Sequence, residues 1–278
     1  AFSIIKEGNP SQIKWDYFIL FSVNGLLSFL SLFFIYMYEK IFGLVSDVTL
    51  LELSNTNSKL LRDLNEKAPG TFQHSMQVAN LAEAAIFKIG GNALLVRAGA
   101  LYHDIGKMET PEFFIENQQR GINPHDDLAY EVSAKIIIRH VYAGIEIASK
   151  NRLPSEIIDF IRTHHGNTRV DYFYQSFLKN YPEKSINENV FRYPGPIPFA
   201  KEQAVLMLAD SVEAASRSLK EPSEQTISEL VERIIEYKIN QHQFINSDIS
   251  FKEIYIIKQL FKEMLMSMYH IRMGYQIE

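Results

Sequence analysis

Apolar residues recur at three- and four-residue intervals over most of the chain beyond Thr71: Val78, Leu81, Ala82 and Ala85, then Ile157, Ile158 and Ile161, then Val205, Leu208, Ala209 and Val212. This spacing puts them on one face of a helix, and no run alternates with the two-residue period of a strand. The expectation is an all-α fold. Near the N-terminus the pattern changes: residues 17–38 are 22 positions without Asp, Glu, Lys or Arg. At about 1.5 Å rise per residue, such a helix spans a hydrocarbon layer of roughly 30 Å. Trp15, Tyr17, Tyr36 and Tyr38 stand where interfacial aromatics belong. The competing reading is a helix buried in a soluble core, which the polar Ser22, Asn24, Ser28 and Ser31 keep open. Lys14 and Lys40 flank the segment and leave its orientation open.

Three regions follow: an N-terminal segment with the transmembrane helix (1–43), a helical connector (44–67), and a helical domain (68–278). The connector carries Leu50, Leu51, Leu53, Leu60, Leu61 and Leu64 and is interrupted by the polar run 54–58. Within the domain the main non-helical stretch is about 180–199, where Pro182, Pro194, Pro196 and Pro198 exclude a continuous helix. Ser250 and Glu253 form a capping box that starts the last helix.

Composition narrows the chemistry. The 278 residues carry a formal charge of -5, so no basic field draws in duplex nucleic acid. There is no cysteine, which removes disulfides, thiolate metal sites and cysteine nucleophiles. No glycine-rich phosphate loop or nucleophile elbow occurs. Histidine and carboxylate remain as metal ligands. The chain begins at Ala1, and a fragment of a longer protein is the expectation.

Six of the eight histidines lie between positions 74 and 165. His103-Asp104 closes an apolar helix and is followed by Gly106; His164-His165 closes another and is followed by Gly166. Asp210 stands in the most apolar part of its helix, after 204–209. A carboxylate there must be paired or bound to metal, because an isolated buried charge is strongly unfavourable. With His74, at the start of a helix, and His140, directly after Ile136-Ile137-Ile138, there are seven candidate ligands. Imidazole and carboxylate together suit iron, manganese or zinc, and Asp104 can bridge two ions at about 3.5–4 Å separation. His242 and His270 have no such neighbours and are read as structural.

His74, His103-Asp104 and Asp210 resemble the H…HD…D pattern of the HD phosphohydrolase superfamily, which is all-helical. His140 and His164-His165 resemble its two-metal branch. The stretches Ala-Pro-Gly-Thr-Phe-Gln-His at 68–74, Tyr-His-Asp-Ile-Gly-Lys at 102–107, Phe-Phe-Ile-Glu-Asn-Gln at 113–118, Asn-Pro-His-Asp at 123–126, Phe-Arg-Tyr-Pro-Gly-Pro at 191–196 and Ala-Asp-Ser-Val-Glu-Ala-Ala-Ser-Arg at 209–217 are similar to the seven-transmembrane HD family that hydrolyses cyclic di-AMP. The resemblance covers roughly residues 40–278. It implies one ion on His74, His103 and Asp210, another on His140, His164 and His165, and Asp104 shared. It also implies a bacterial cell-membrane protein with its HD domain in the cytoplasm, hydrolysing cyclic di-AMP to 5'-pApA with water activated by two divalent transition-metal ions, iron or manganese. A homodimer is left open. Related enzymes that prefer cyclic di-GMP carry Gly-Tyr-Pro after the paired histidines, whereas Gly166-Asn167-Thr168 follows here.

Lys107, three residues after Asp104, is expected beside the reacting phosphate as a catalytic or substrate-binding cation. Arg217, two helical turns after Asp210, is a candidate for the second phosphate, with an ion pair to Glu213 as its alternative. Tyr172, Phe173, Tyr174, Phe191 and Tyr193 are read as an aromatic loop, with Tyr193 the candidate for stacking on a base. His125 is a candidate substrate contact. Two alternatives remain: an HD enzyme acting on cyclic di-GMP or a nucleoside mono- or triphosphate, and a silent nucleotide-binding signalling module.

Overall fold

The computed structural model describes residues 15–118 and 123–273; Lys14 and the side chains of Tyr36, Lys40 and His270 lie outside the described set. The chain divides into two units, 1–46 and 47–278. In the first, α1 (Trp15–Phe42) is a continuous helix whose stretch Trp15–Glu39 has a mean hydropathy of 2.2 and buries nothing within the unit. It is the one helix among the described residues long and apolar enough to cross a membrane. One of its polar groups is satisfied within the helix: the Ser31 hydroxyl donates to the Ser28 carbonyl at 2.7 Å, which lowers the penalty of an apolar surrounding.

The second unit is helical, with no strand among the described residues and a single isolated bridge between Arg169 and Arg192. It opens with α2 (Asp47–Leu53) and α3 (Lys59–Lys67), separated at 54–58 where the Asn55 side chain accepts from the Asn57 N–H. Leu50, Leu60, Leu61 and Leu64 are buried. α4 (Pro69–Ile89) begins with a proline at a position whose N–H has no helical acceptor. After it come α5 (Ala93–Tyr102), α6 (Tyr130–Lys150), α7 (Ser155–Thr163), α8 (Asp171–Asn180), α9 (Lys201–Ser216), α10 (Glu224–Asn240) and α11 (Phe251–Met273).

α4 is the hub and packs against α3, α5, α9 and α11. Its buried positions include His74, Ser75, Val78, Leu81, Ala82 and Ala85, so the stripe that holds the helix in the core also carries His74 inward. α9 is enclosed more completely, with every residue from Gln203 to Asp210 buried. α5 and α7 pack together, and α6 lies against α7 and the short 3-10 turn Ile105–Glu109. α7 and the turn after α5 therefore both lie against α6, whose His140 stands in mid-helix.

Ser250 and Glu253 exchange the expected capping bonds at the start of α11, at 3.3 and 2.7 Å. A second box, Ser223 with Thr226, starts α10. The proline-rich stretch is irregular apart from a 3-10 turn at Glu188–Phe191. One expectation is corrected: Tyr172, Phe173 and Tyr174 lie on α8, not in a loop. The prolines begin only at Pro182, and Phe173 and Phe177, one turn apart, bury against Phe191 and Ala134.

Candidate metal centre

Two local devices aim the side chains. Gly106 follows His103-Asp104, and a Cβ there would lie 1.8 Å from the His140 carbonyl oxygen and 2.5 Å from the Gly144 nitrogen. Backbone therefore touches backbone, and the turn carrying Asp104 is seated against the segment of α6 carrying His140. Gly166 follows His164-His165 with φ +54, a conformation that L side chains rarely adopt, so α7 ends immediately behind the pair. The second device is a hydrogen bond repeated three times. The Nδ1 of His103, His140 and His164 reaches the carbonyl three residues earlier, of Ala100, Ile137 and Ile161, at 2.6, 2.5 and 2.7 Å. A carbonyl only accepts, so Nδ1 carries the proton in each ring and Nε2 faces the cluster.

All seven sequence-predicted ligands come together. His74, His103 and Asp210 offer atoms within 4.8 Å of one another, as do Asp104, His140, His164 and His165. Asp104 faces both groups with different oxygens: Oδ2 is 3.3 Å from His103 Nε2 and 3.7 Å from His74 Nε2, while Oδ1 is 3.3 Å from His140 Nε2 and 3.5 Å from His164 Nε2. Asp210 Oδ1 lies 2.9 Å from His74 Nε2 and 3.7 Å from His103 Nε2. His103 Nε2 and Asp104 Oδ1 are fully buried without a hydrogen-bond partner among the described residues. Orphaned buried polar atoms are costly, and two of them within a histidine–carboxylate set suit a divalent cation.

The electrostatics divide along the same line. Burial works to lower the His103 pKa, but the charges of Asp104 and Asp210 override it and raise it to about 10. His74 is raised against burial by Asp210 and Glu213. Asp104 and Asp210 are held well below the usual carboxylate range, Asp104 by Lys107 and His103, Asp210 by His103 and His74, each against burial. In the other group burial dominates: His140 falls to about 3, with His164 and Lys107 adding to the effect, and His165 falls well below the ordinary imidazole value.

Lys107 is no solvated surface lysine. Its ammonium lies 2.8 Å from Asp104 Oδ2 and 2.8 Å from Glu116 Oε1 and lines the cavity beside the cluster. Both carboxylates keep it charged against burial. That cavity, of about 510 Å³, also exposes His74, His165, Asp210, Tyr193 and Arg217. Tyr193 stacks on His165 with ring centroids 4.2 Å apart and sits edge-on to His140 at 6.1 Å, so one ring face is occupied by imidazole. Arg217 pairs with Glu213 at 2.8 Å, the alternative stated for it. His125 stands apart from the cluster: its Nε2 donates to the Phe113 carbonyl at 2.9 Å, and it lines a second cavity of about 410 Å³ that shares Ile115 and Glu116 with the first.

Glu213 has a part that sequence reasoning missed. Its Oε2 accepts from His74 Nδ1 at 2.5 Å, which leaves Nε2 for the cluster. A carboxylate behind a histidine fixes the ring and raises its basicity. The available signal was its position three residues after Asp210, on the same helix face.

A family model described as HD domain matches residues 71–215, just over half of the chain. A cyclic-di-AMP phosphodiesterase named PgpH from Listeria monocytogenes is 46% identical over 239 residues, 86% of this chain and 33% of its own length. PgpH from Bacillus subtilis is 43% identical over 238 residues, again 86% of this chain and 33% of its own length. The chain thus spans about a third of the curated relatives it matches. The crystal structure of the L. monocytogenes PgpH HD domain in complex with cyclic-di-AMP superposes with a TM-score of 0.74 at 46% identity, covering 77% of this chain and 100% of that one. The matched segment contains all seven clustered histidines and aspartates, including the adjacent His103-Asp104, and the chain belongs to the HD-domain family.

Proposed function

We propose that this chain is the HD-domain part of a membrane-anchored phosphodiesterase that opens cyclic di-AMP to linear 5'-pApA. Residues 68–278 form the hydrolase domain in the cytoplasm, 44–67 the connector, and 1–43 the segment that carries the bilayer-spanning α1. The observation that carries this reading is Asp104, whose two oxygens face two separate ligand groups in a buried cluster beside a cavity. The likeness to PgpH, which acts on cyclic-di-AMP by name, selects the substrate.

His74, His103 and Asp210 would hold one divalent ion and His140, His164 and His165 the other, with Asp104 between them; the donor set suits iron, manganese or zinc, and the family resemblance favours iron or manganese. When bound, such a pair supplies a water nucleophile at neutral pH and stabilises charge on the phosphate oxygens. The chain's own residues do the rest. Lys107, held charged by Asp104 and Glu116, stands at the cavity wall, where its field would stabilise negative charge gathering on the phosphate. The Tyr193 hydroxyl, whose pKa burial pushes up, stays protonated, and its ring packs His165 in place. Glu213 fixes His74.

The test is turnover of cyclic di-AMP by the purified chain with manganese or iron, read by chromatography of 5'-pApA, with cyclic di-GMP as comparator. Asp104→Ala abolishes the product, and the wild-type protein holds two ions per chain by elemental analysis. Full activity in Asp104→Ala would overturn the mechanism, and preference for cyclic di-GMP would overturn the substrate.

A further inference from the structure

The cavity beside the cluster is lined by four cationic side chains, and three of them are already paired. Lys107 lies against Asp104 and Glu116, Arg169 is 2.6 Å from Asp171 and 3.1 Å from Glu188, and Arg217 is held by Glu213. Lys238 differs. It lies on α10 with 9% of its surface exposed, lines the same cavity, and its ammonium makes no hydrogen bond or ion pair with the described residues. Burial pulls its pKa down, and the more distant Asp210 and Asp171 only partly offset this.

A buried ammonium without a counter-ion is unfavourable, and replacing it with an apolar side chain of similar length would relieve the penalty. Its position on a cavity wall fits an anion arriving from solution. A volume of about 510 Å³ suits a small-molecule ligand, as such sites span about 300–1,000 Å³. If one phosphate of a cyclic dinucleotide lies at the histidine–aspartate cluster, the other must be neutralised elsewhere on the wall. Arg217 is the worse candidate, since its guanidinium is committed to Glu213, which in turn holds His74.

We infer that Lys238 binds the second, non-reacting phosphate of a cyclic dinucleotide and so selects substrates with two phosphates over those with one. This rests on the function proposed above. The experiment compares wild type, Lys238→Met and Lys238→Arg, manganese-loaded, on cyclic di-AMP and on bis(p-nitrophenyl) phosphate, a diester with a single phosphate. Loss of a charged hydrogen bond predicts a rise in KM for cyclic di-AMP of about tenfold to a hundredfold in Lys238→Met. kcat moves much less than KM, and the preference for cyclic di-AMP over the single-phosphate diester falls accordingly. Lys238→Arg, which keeps the charge, restores most of that preference. If Lys238→Met does not fold by circular dichroism, Lys238→Gln is read the same way. An unaltered KM, or equal losses on both diesters, overturns the inference while leaving the proposed function standing. A wild-type protein that never opens cyclic di-AMP overturns that function and this inference with it.

Discussion

The two halves of the histidine–aspartate cluster are both buried, except for the partly exposed His165, but differ in charge. The His74, His103 and Asp210 half has carboxylates on every side: Asp210 and Asp104 within it, and Glu213 behind His74. The His140, His164 and His165 half has only the far oxygen of Asp104 within 3.5 Å of His140 and His164, and a 3.9 Å approach of His165 to Asp210. The same burial therefore leaves His103 protonated to about 10 and His140 neutral down to about 3. A buried imidazole takes its charge state from the carboxylates it meets and not from depth alone. A cation entering the first half displaces a proton from His103, whereas His140 and His165 in the second half are already neutral.

The largest expected effect comes from removing one ligand on each side. On the function proposed above, His74→Ala and His140→Ala each lower the metal content from two ions per chain to one, measured by elemental analysis, and take cyclic di-AMP hydrolysis to background. Loss of both ions from either variant would show that the halves bind as one site. Gly106→Ala acts on the second half through the backbone. Its Cβ has no room against the His140 carbonyl, so α6 must shift, with destabilisation at the upper end of about 1–3 kcal/mol in chemical denaturation. A wild-type denaturation midpoint in that variant would mean the contact is slack.

Glu213→Gln weakens only the first half. Metal affinity or activity falls by about tenfold to a hundredfold, recoverable at higher metal concentration, because the carboxylate positions His74 and does not itself line the cavity. An equal effect on both ions would blur the distinction between the halves. The smallest effect, and the most direct reading of the contrast, is titration of the metal-free protein followed by imidazole nitrogen NMR. His103 stays protonated through neutral pH and His140 stays neutral. The accompanying stability has opposite signs. His103, raised, contributes fully below its unfolded value of 6.5 and loses this as pH rises through about 10. His140, depressed, favours the fold above 6.5 and loses this as pH falls towards about 3. Similar titration of the two rings would remove the comparison.

Much of this protein can be read locally. The three- and four-residue recurrence of Val78, Leu81, Ala82 and Ala85 determined α4 and its buried face, because helical period and burial are both set within a few turns. The pair His164-His165 marked a helix end because Gly166 behind it can take the φ of +54 that other residues rarely adopt, whereas Gly106 after His103-Asp104 lies in a 3-10 turn and is needed for its close approach to the His140 carbonyl. Residues of the aromatic stretch were harder: Tyr172 to Tyr174 precede the prolines closely, and only burial of Phe173 and Phe177 against Phe191 decides that they are helical.

What the sequence by itself determined is which side chains are too polar for their apolar settings. Only the tertiary structure decided who meets whom: Glu213 with His74 across 139 positions, Lys107 between Asp104 and Glu116, and Lys238 facing a cavity without a partner. The physical reason is that a helical pattern specifies which face is buried and is silent on the neighbour it is buried against. Charge state, ligand grouping and the lack of a partner for Lys238 among the described residues depend on that neighbour.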